Sequence, residues 1–322
     1  MNAEITTMTV MALKQFGGPE NFALESIPRP EAGTGEVLVR VKAIGINPID
    51  IKTRQGGGQA LALSGEEPMI LGWDVSGEVV EAGFGVKDFK EGDEVFGTVN
   101  FPGAGKTYAE YVAVPTGQLA EKPTNIPHAQ ATAATLSALT AWQALVDNGC
   151  IRKGQKVLIH GGAGGVGNYA VQIARHFGCY VIATAAGQDM DFVKNLGADE
   201  VIDYRTDRFE DKVKDVDFIL DTVGGENFVR SLKVLKPEGT IILLPSNKKE
   251  EAGRVAKQQN IRNYKHILMH SSGEDMQQIA GMLAEGSLKA QVDCTYPFEQ
   301  IPQAHRRLEE GKVKGKIVVT LE

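Results

Sequence analysis

The sequence predicts an α/β protein in which a doubly wound parallel sheet is inserted between two parts of a smaller β-rich domain. Three observations predict it. The chain has 322 residues, more than one hydrophobic core usually fills, since single cores stop growing near ~250–300 residues. Up to about Lys122 short apolar runs alternate with Gly, Pro and Asp, a β-rich pattern. From about Pro127 helical and strand patterns alternate, which implies parallel α/β layering.

Composition narrows the function classes. Hydrophobic residues make up 42% and charged residues 23%, ordinary globular usage. A net charge of −7 and no dense Lys/Arg run argue against nucleic acid as the main partner. Cys150, Cys179 and Cys294 are odd in number and widely spaced, which suits neither a disulfide framework nor a zinc site and points to a reducing, cytoplasmic compartment. No stretch approaches the ~20 apolar residues that span a bilayer, and the start lacks a signal-peptide pattern, so no membrane partner is expected. Met8 or Met11 is read as the first residue of the folded part, with a disordered extension before it.

In the β-rich part, Val37–Val41 and Val75–Val80 read as strands. A helical stretch over Ala129–Leu145 follows, then strand Lys156–His160, helix Val166–Phe177, strand Tyr180–Thr184, helix Met190–Leu196 and strands Glu200–Ile202 and Phe218–Asp221. Helix Phe228–Leu235 and strand Thr240–Leu244 complete a succession that suits right-handed crossovers. Beyond a polar segment, Asn247–Asn260, come a strand at His266–Met269, helices at Met276–Ala284 and Ala304–Glu309, and a last strand at Lys316–Thr320. The expected domains are 1–126, 127–262, and a return to the first domain over 263–322.

The segment KVLIHGGAGGVGNYAVQIARHFG carries the most chemistry. An apolar strand runs into Gly162, Gly164 and Gly167 and then into an amphipathic helix opened by Gly165 and Val166, the context a dinucleotide fingerprint requires. Gly162 would permit the tight turn, Gly164 the approach of a pyrophosphate and Gly167 close helix–strand packing. The helix N-terminus offers free N–H groups to phosphate. His160, beside the motif, is expected to be structural. Roughly 20 residues on, an NAD site should present Asp or Glu to the ribose; here stand Ala183, Thr184, Ala185, Ala186 and Gly187. Small neutral residues leave room for a 2′-phosphate, so NADPH is expected, with NADH as the weaker alternative.

From about Val10 to Leu321 the chain resembles the medium-chain dehydrogenase/reductase superfamily, in its zinc-free quinone oxidoreductase branch. The matching segments are GEVLVRVKAIGINPIDIKTRQG, LGWDVSGEVVEAG, EGDEVFG, YAEYVAV, TAWQAL, HGGAGGVG, LGADEVIDY, DTVGG and GKIVV. The resemblance implies a GroES-like catalytic domain, a Rossmann domain and a homodimer. Zinc-dependent alcohol dehydrogenases of the superfamily carry Cys where this chain has Asn47, His-Glu at Trp73-Asp74 and Cys near Leu136, and they carry a Cys-rich lobe missing here between Gly97 and Tyr108. No metal is expected, because zinc needs such ligands.

The same resemblance implies site residues. Asn47 and Asp50 match a segment near the nicotinamide, and Lys52 stands where some members place a Tyr, which questions tyrosine-based proton donation. From the residues alone, Asn47 is a turn residue before Pro48 and Asp50 a helix cap. Tyr204 matches a Tyr near the adenosine phosphate, Val223 and Gly224 a turn on the nicotinamide side, and Pro245-Ser246 the next. Trp73 and Phe101 are expected either to line an acceptor pocket between the domains or to anchor the core. The function implied is hydride transfer from NADPH to a quinone or α,β-unsaturated carbonyl, with alternatives of an enoyl-thioester reductase or a non-catalytic NADPH-binding protein.

Overall fold

A computed structural model describes residues 6–321, apart from the side chain of Ser246. Residues 1–5, where most of the expected extension falls, lie outside the described residues. Met8 and Met11 both sit inside a strand, Thr7–Leu13. The described chain forms two compact units, each with its own sheet.

The first unit runs to Leu139 and resumes over His270–Gly286 and from Ala290 onward. Its main sheet orders Val292–Pro297, Lys316–Thr320, Glu36–Ile46, Asp74–Ala82, Glu94–Thr98 and Leu119–Glu121, with Tyr111–Pro115 also paired to Glu36–Ile46. A second sheet joins Phe22–Pro28, Thr7–Leu13 and Met69–Ile70. Val37, Val39, Val41, Ile44, Val75, Val79, Ile317 and Val319 fill one core. The last strand lies antiparallel to Glu36–Ile46, with Ile317 opposite Ile46 and Val318 opposite Gly45. That register places Lys316 beside the Asn47 turn. Gly45 is required there, since a Cβ would lie 2.4 Å from Asp74 Oδ2.

The second unit covers Thr140–Met269 and Ser287–Lys289. Six parallel strands are ordered Glu200–Asp203, Tyr180–Ala185, Lys156–Ile159, Val216–Asp221, Leu235–Leu243 and Asn263–His266. Counted from Lys156–Ile159, this is the 3-2-1-4-5-6 order of a doubly wound dinucleotide-binding sheet. Leu158, Ile182, Ile219, Ile241, Phe209 and Phe228 pack its core.

Two boundaries differ from expectation. Helix His128–Ala133 packs on the strands Glu36–Ile46 and Asp74–Ala82 of the first unit, so the chain leaves that unit after Leu139 rather than after 126. Asn263–His266 pairs with Leu235–Leu243, which keeps residues up to Met269 in the second unit. The helix expected over Ala129–Leu145 is broken after Ala133 and resumes at Leu136, where Thr135 Oγ1 donates to Thr132 O at 2.7 Å. The polar stretch Asn247–Asn260 contains a helix, Lys249–Gln258. The helix expected over Phe228–Leu235 ends at Ser231, and Leu235 instead opens the fifth strand.

Candidate active site

In the second unit the glycine turn divides its tasks differently from the sequence expectation. Gly161, at φ +72, takes the left-handed conformation of the tight turn. Gly162 is the packing position, where a Cβ would lie 3.0 Å from Ala183 Cβ and Val193 Cγ1. At Gly167 a Cβ would fall 2.0 Å from Gly161 O, so the helix can approach the turn only without a side chain. Gly164 is the exception. Its backbone is extended, it caps helix Gly165–His176, and a Cβ there would meet only Gly161 O, at 3.3 Å. Space therefore opens off Gly164 directly before the free N–H groups of the first turn, to which Gly165 and Val166 belong. A pyrophosphate fits this position.

A buried brace holds the turn. Ser231 Oγ donates to Asn227 O at 2.7 Å and lies 2.9 Å from His160 Nε2. His160 Nδ1 lies 3.2 Å from Thr184 Oγ1, which accepts from Gly161 N at 3.2 Å. Desolvation depresses the imidazole to about 4, so it is neutral. Neutral His160 thus donates through Nε2 and accepts the Thr184 hydroxyl proton at Nδ1, a tautomer assigned from the network. His160 is structural, as expected. Thr184, expected to meet the cofactor, turns its hydroxyl inward to this brace instead.

The neutral loop stands as read. Ala185 ends the second strand, Ala186 is buried and Gly187 exposed. Tyr204 is 55% exposed, and its N–H donates to Ala185 O at 3.1 Å, so it adjoins the loop. Beyond the fourth strand, Asp221 Oδ1 accepts from Val223 N and Gly224 N, each at 2.9 Å. One buried carboxylate therefore shapes the Val223–Gly224 turn and leaves Val223 exposed. Pro245 follows Leu244, whose N–H donates to Asp221 O at 3.0 Å. The Ser246 side chain lies outside the described residues.

In the first unit the expected Asn47 and Asp50 enter a buried polar cluster. Lys316 Nζ donates to Asn47 Oδ1, to Ile46 O at 3.2 Å and to Asp74 Oδ2 at 3.3 Å. Asn47 Nδ2 donates to the same Asp74 oxygen at 2.8 Å, and Asp74 Oδ1 accepts from Leu136 N at 3.0 Å. Asn47, Asp74 and Lys316 are all buried, and both ends of the Asn47 amide are engaged. Asp50 caps helix Pro48–Arg54 as expected, accepting from Asn47 N at 2.6 Å.

Asp50 also meets the Tyr108 hydroxyl, which lies 2.9 Å from His305 Nε2. Burial first, and then the Asp74 charge, push its carboxyl up to about 7. Burial depresses His305 to about 3, so it is neutral and its Nε2–H donates to Tyr108. Lys52, on the same helix, is exposed and lies outside this cluster. Trp73 and Phe101 are buried edge-to-face at 5.8 Å, and Trp73 Nε1 donates to Gly103 O at 2.9 Å. Both side chains are thus shut away from solvent and held by each other and by the Gly103 carbonyl.

Sequence reasoning missed Lys316, Tyr108 and His305. The signal for Lys316 was a cation opening the otherwise apolar strand KIVVT. For zinc, the donor set does not fit: Asn47 Oδ1 and Asp74 already hold an ammonium, and the side chain at Leu136 is apolar. Among the described residues no group of three or more His, Cys, Asp or Glu could hold a metal ion.

Comparisons with known proteins agree with this architecture. Residues 33–124 match the model of the alcohol dehydrogenase GroES-like domain, and 196–319 that of a zinc-binding dehydrogenase. The chain is 33% identical to the mitochondrial NAD(P)H oxidoreductase RTN4IP1 of Danio rerio, over 99% of this chain and 92% of that protein. It is 34% identical to the chloroplastic NADPH-dependent alkenal/one oxidoreductase of Arabidopsis thaliana, over 97% and 79%. The solved quinone oxidoreductase of Coxiella burnetii superposes with a TM-score of 0.92 at 35% identity, covering 98% of this chain and all of that one.

Proposed function

From a chain that belongs to the medium-chain dehydrogenase/reductases, in their zinc-independent quinone oxidoreductase branch, we propose an enzyme that reduces quinones or α,β-unsaturated carbonyls with NADPH. The observation that carries the reading is Gly164, where a Cβ would meet a single backbone oxygen, between two glycines whose side-chain positions are filled. Bound there, NADPH supplies the hydride. Gly164, Gly165, Val166 and Gly167 present backbone to the pyrophosphate, Ala185 and Tyr204 border the adenosine end, and Val223 and Pro245 lie on the turns assigned to the nicotinamide side.

The donor set that rejects zinc also limits the chemistry. Without a Lewis acid, an acceptor that is already electron-poor is the natural substrate. Asn47, held by Lys316 and Asp74, contributes a rigid polar wall rather than a free hydrogen-bonding arm. No residue is assigned as a nucleophile, since hydride transfer needs none. The enoyl-thioester alternative is weaker because Lys52 stands at the tyrosine position and is exposed.

Among the described residues no helix is long and apolar enough to cross a membrane. We place the protein in the cytoplasm on the strength of its free Cys150, Cys179 and Cys294, which suit a reducing compartment. A homodimer is supported by the edge position of strand Asn263–His266 and by exposed Leu268 just beyond it. Light scattering of the purified protein checks the dimer. Oxidation of NADPH and NADH, followed with quinones, enones and crotonyl thioesters, tests the activity; no turnover by cofactor-binding protein would leave the non-catalytic reading.

A further inference from the structure

The adenosine end of the proposed cofactor site lacks the residue that would recognise a second phosphate. In a doubly wound sheet the end of the second strand faces the ribose, and an Asp or Glu there binds the 2′-hydroxyl whereas a nearby Arg accommodates a 2′-phosphate. Here the second strand ends in Ala185, and the segment that follows, Ala186–Met190, contains no basic residue. A neutral loop alone tolerates the phosphate without attracting it.

The fold brings a cation-bearing segment alongside this strand end from the neighbouring strand. Ala185 is the register partner of Asp203 in the parallel ladder, and Tyr204 N–H donates to Ala185 O at 3.1 Å. Arg205 follows directly. Asp203 Oδ1 accepts from Arg205 N at 3.0 Å, which fixes the backbone of the turn. The guanidinium lies 5.9 Å from the centroid of the Tyr204 ring, and both side chains are exposed.

Three other cations of this region are committed, while Lys233, which lines the same surface hollow as Arg205, enters no ion pair among the described residues. Arg208 pairs with Glu210 at 3.0 Å, Arg230 with Glu210 at 2.6 Å and Lys212 with Asp207 at 2.8 Å. Arg205 enters no ion pair among the described residues. Lys194 is on the last turn of helix Met190–Asn195, away from the end that adjoins the loop. An uncommitted guanidinium beside a strand that itself ends in a neutral residue suits a dianionic phosphate, because its planar fork gives two parallel charge-assisted hydrogen bonds.

We propose that Arg205 is the specificity-determining residue for the phosphorylated cofactor, receiving the 2′-phosphate of NADPH beside the Tyr204 ring. The assignment rests on the cofactor reading above and goes beyond it, since the site at Gly164 serves NADH and NADPH alike. Asp203 sets a limit on the preference, because its carboxylate packs against Gly187, where a Cβ would lie 2.5 Å from Oδ2. Asp189 and Asp191 add negative charge beyond the loop.

The test is calorimetric titration of the full-length protein with NADPH, NADH, 2′,5′-ADP and 5′-AMP, at low and high salt, with no substrate present. The unmodified protein should bind 2′,5′-ADP about tenfold or more tightly than 5′-AMP, a margin that salt reduces. Arg205→Met should erase that margin while keeping NADH and 5′-AMP affinity within about twofold, Arg205→Lys should keep part of it, and Lys194→Met should change nothing. Arg205 is exposed and unpaired, so an unchanged melting temperature verifies that Arg205→Met folds. A preference that survives Arg205→Met, or an equal loss for NADH and NADPH, overturns the assignment and leaves the cofactor site standing. Unmodified protein that binds NADPH and NADH equally overturns the phosphate selection alone. Failure to bind any of the four removes the cofactor reading and the proposal together.

Discussion

The glycine turn of the second unit and the polar cluster of the first achieve rigidity by opposite means. At the turn, side chains are removed so that backbone can approach backbone, and a neutral His160–Thr184–Ser231 brace fixes the result without net charge. The cluster concentrates charge instead, with Lys316, Asp74 and Asp50 all buried around one helix start. The turn has little to lose by desolvation and leaves space for a ligand. In the cluster, Lys316 and Asp74 are bearable because they meet each other, and Asp50 is relieved by a carboxyl pushed up to about 7.

The largest expected effect comes from breaking that partnership. Lys316→Met leaves Asp74 buried without its cation and should cost about 3–5 kcal/mol in the unfolding of the first unit. NADPH affinity should hardly change, because the glycine turn belongs to the other unit. Urea unfolding and a nucleotide titration on one variant decide this, and a stability loss below ~1 kcal/mol would show that the ammonium is not held as described.

Asp50 gives the next effect. Its folded carboxyl sits near 7 against an ordinary 3.8, so the native state holds a proton that the unfolded state releases between those values. The contribution to stability is therefore fully present below pH ~4 and lost as pH rises through ~7, up to about 4 kcal/mol at 1.36 kcal/mol per unit. Asp50→Asn cannot titrate and should flatten this window. Melting curves of both proteins from pH 4 to 8 check it; parallel pH profiles would contradict a shifted Asp50.

Gly164→Val should abolish nucleotide binding, roughly a hundredfold or more, and leave the protein folded, because the new side chain enters the pyrophosphate space and meets only Gly161 O, at 3.3 Å. Gly167→Ala should act first on stability, costing about 1–3 kcal/mol, since its Cβ meets Gly161 O. If both variants lost binding and stability together, the division of labour within the turn would be wrong. The smallest effect is at Ala185→Asp, which should favour NADH over NADPH by about fivefold, the ~1 kcal/mol of a like-charge contact in water. Paired titrations with the two cofactors measure it.

What could be read from the sequence follows the same contrast. The glycine turn is contiguous from Gly161 to Gly167, so strand, turn and helix signals overlap in one short segment. Its brace joins residues 24 and 71 positions apart, and no spacing announces it. Lys316 and Asn47 are 269 positions apart, and only strand register brings them together. The helix Lys249–Gln258 read as a polar segment because its buried face is just Ala252 and Ala256 and most of its other residues are charged or polar. Asn47 and Asp50 were found by resemblance, but their engagement with Lys316 and Tyr108 needed the fold.

The position of strand Lys316–Thr320, between Val292–Pro297 and Glu36–Ile46, has a consequence for biosynthesis. Ile46 and Lys316 are separated by 270 residues, yet they close the same ladder. At about 5–20 residues per second of translation, the strand made first waits roughly tens of seconds for its neighbour. Throughout that interval Glu36–Ile46 carries an unpaired apolar flank and the Asp74 carboxylate lacks its cation. The second unit, contiguous apart from Ser287–Lys289, is almost wholly synthesised by Met269, roughly 2–9 seconds before Lys316 at that rate. A nascent chain therefore passes through a stage with a foldable nucleotide-binding unit and an unfinished partner, the stage at which chaperone capture or ribosome-associated proteolysis would act.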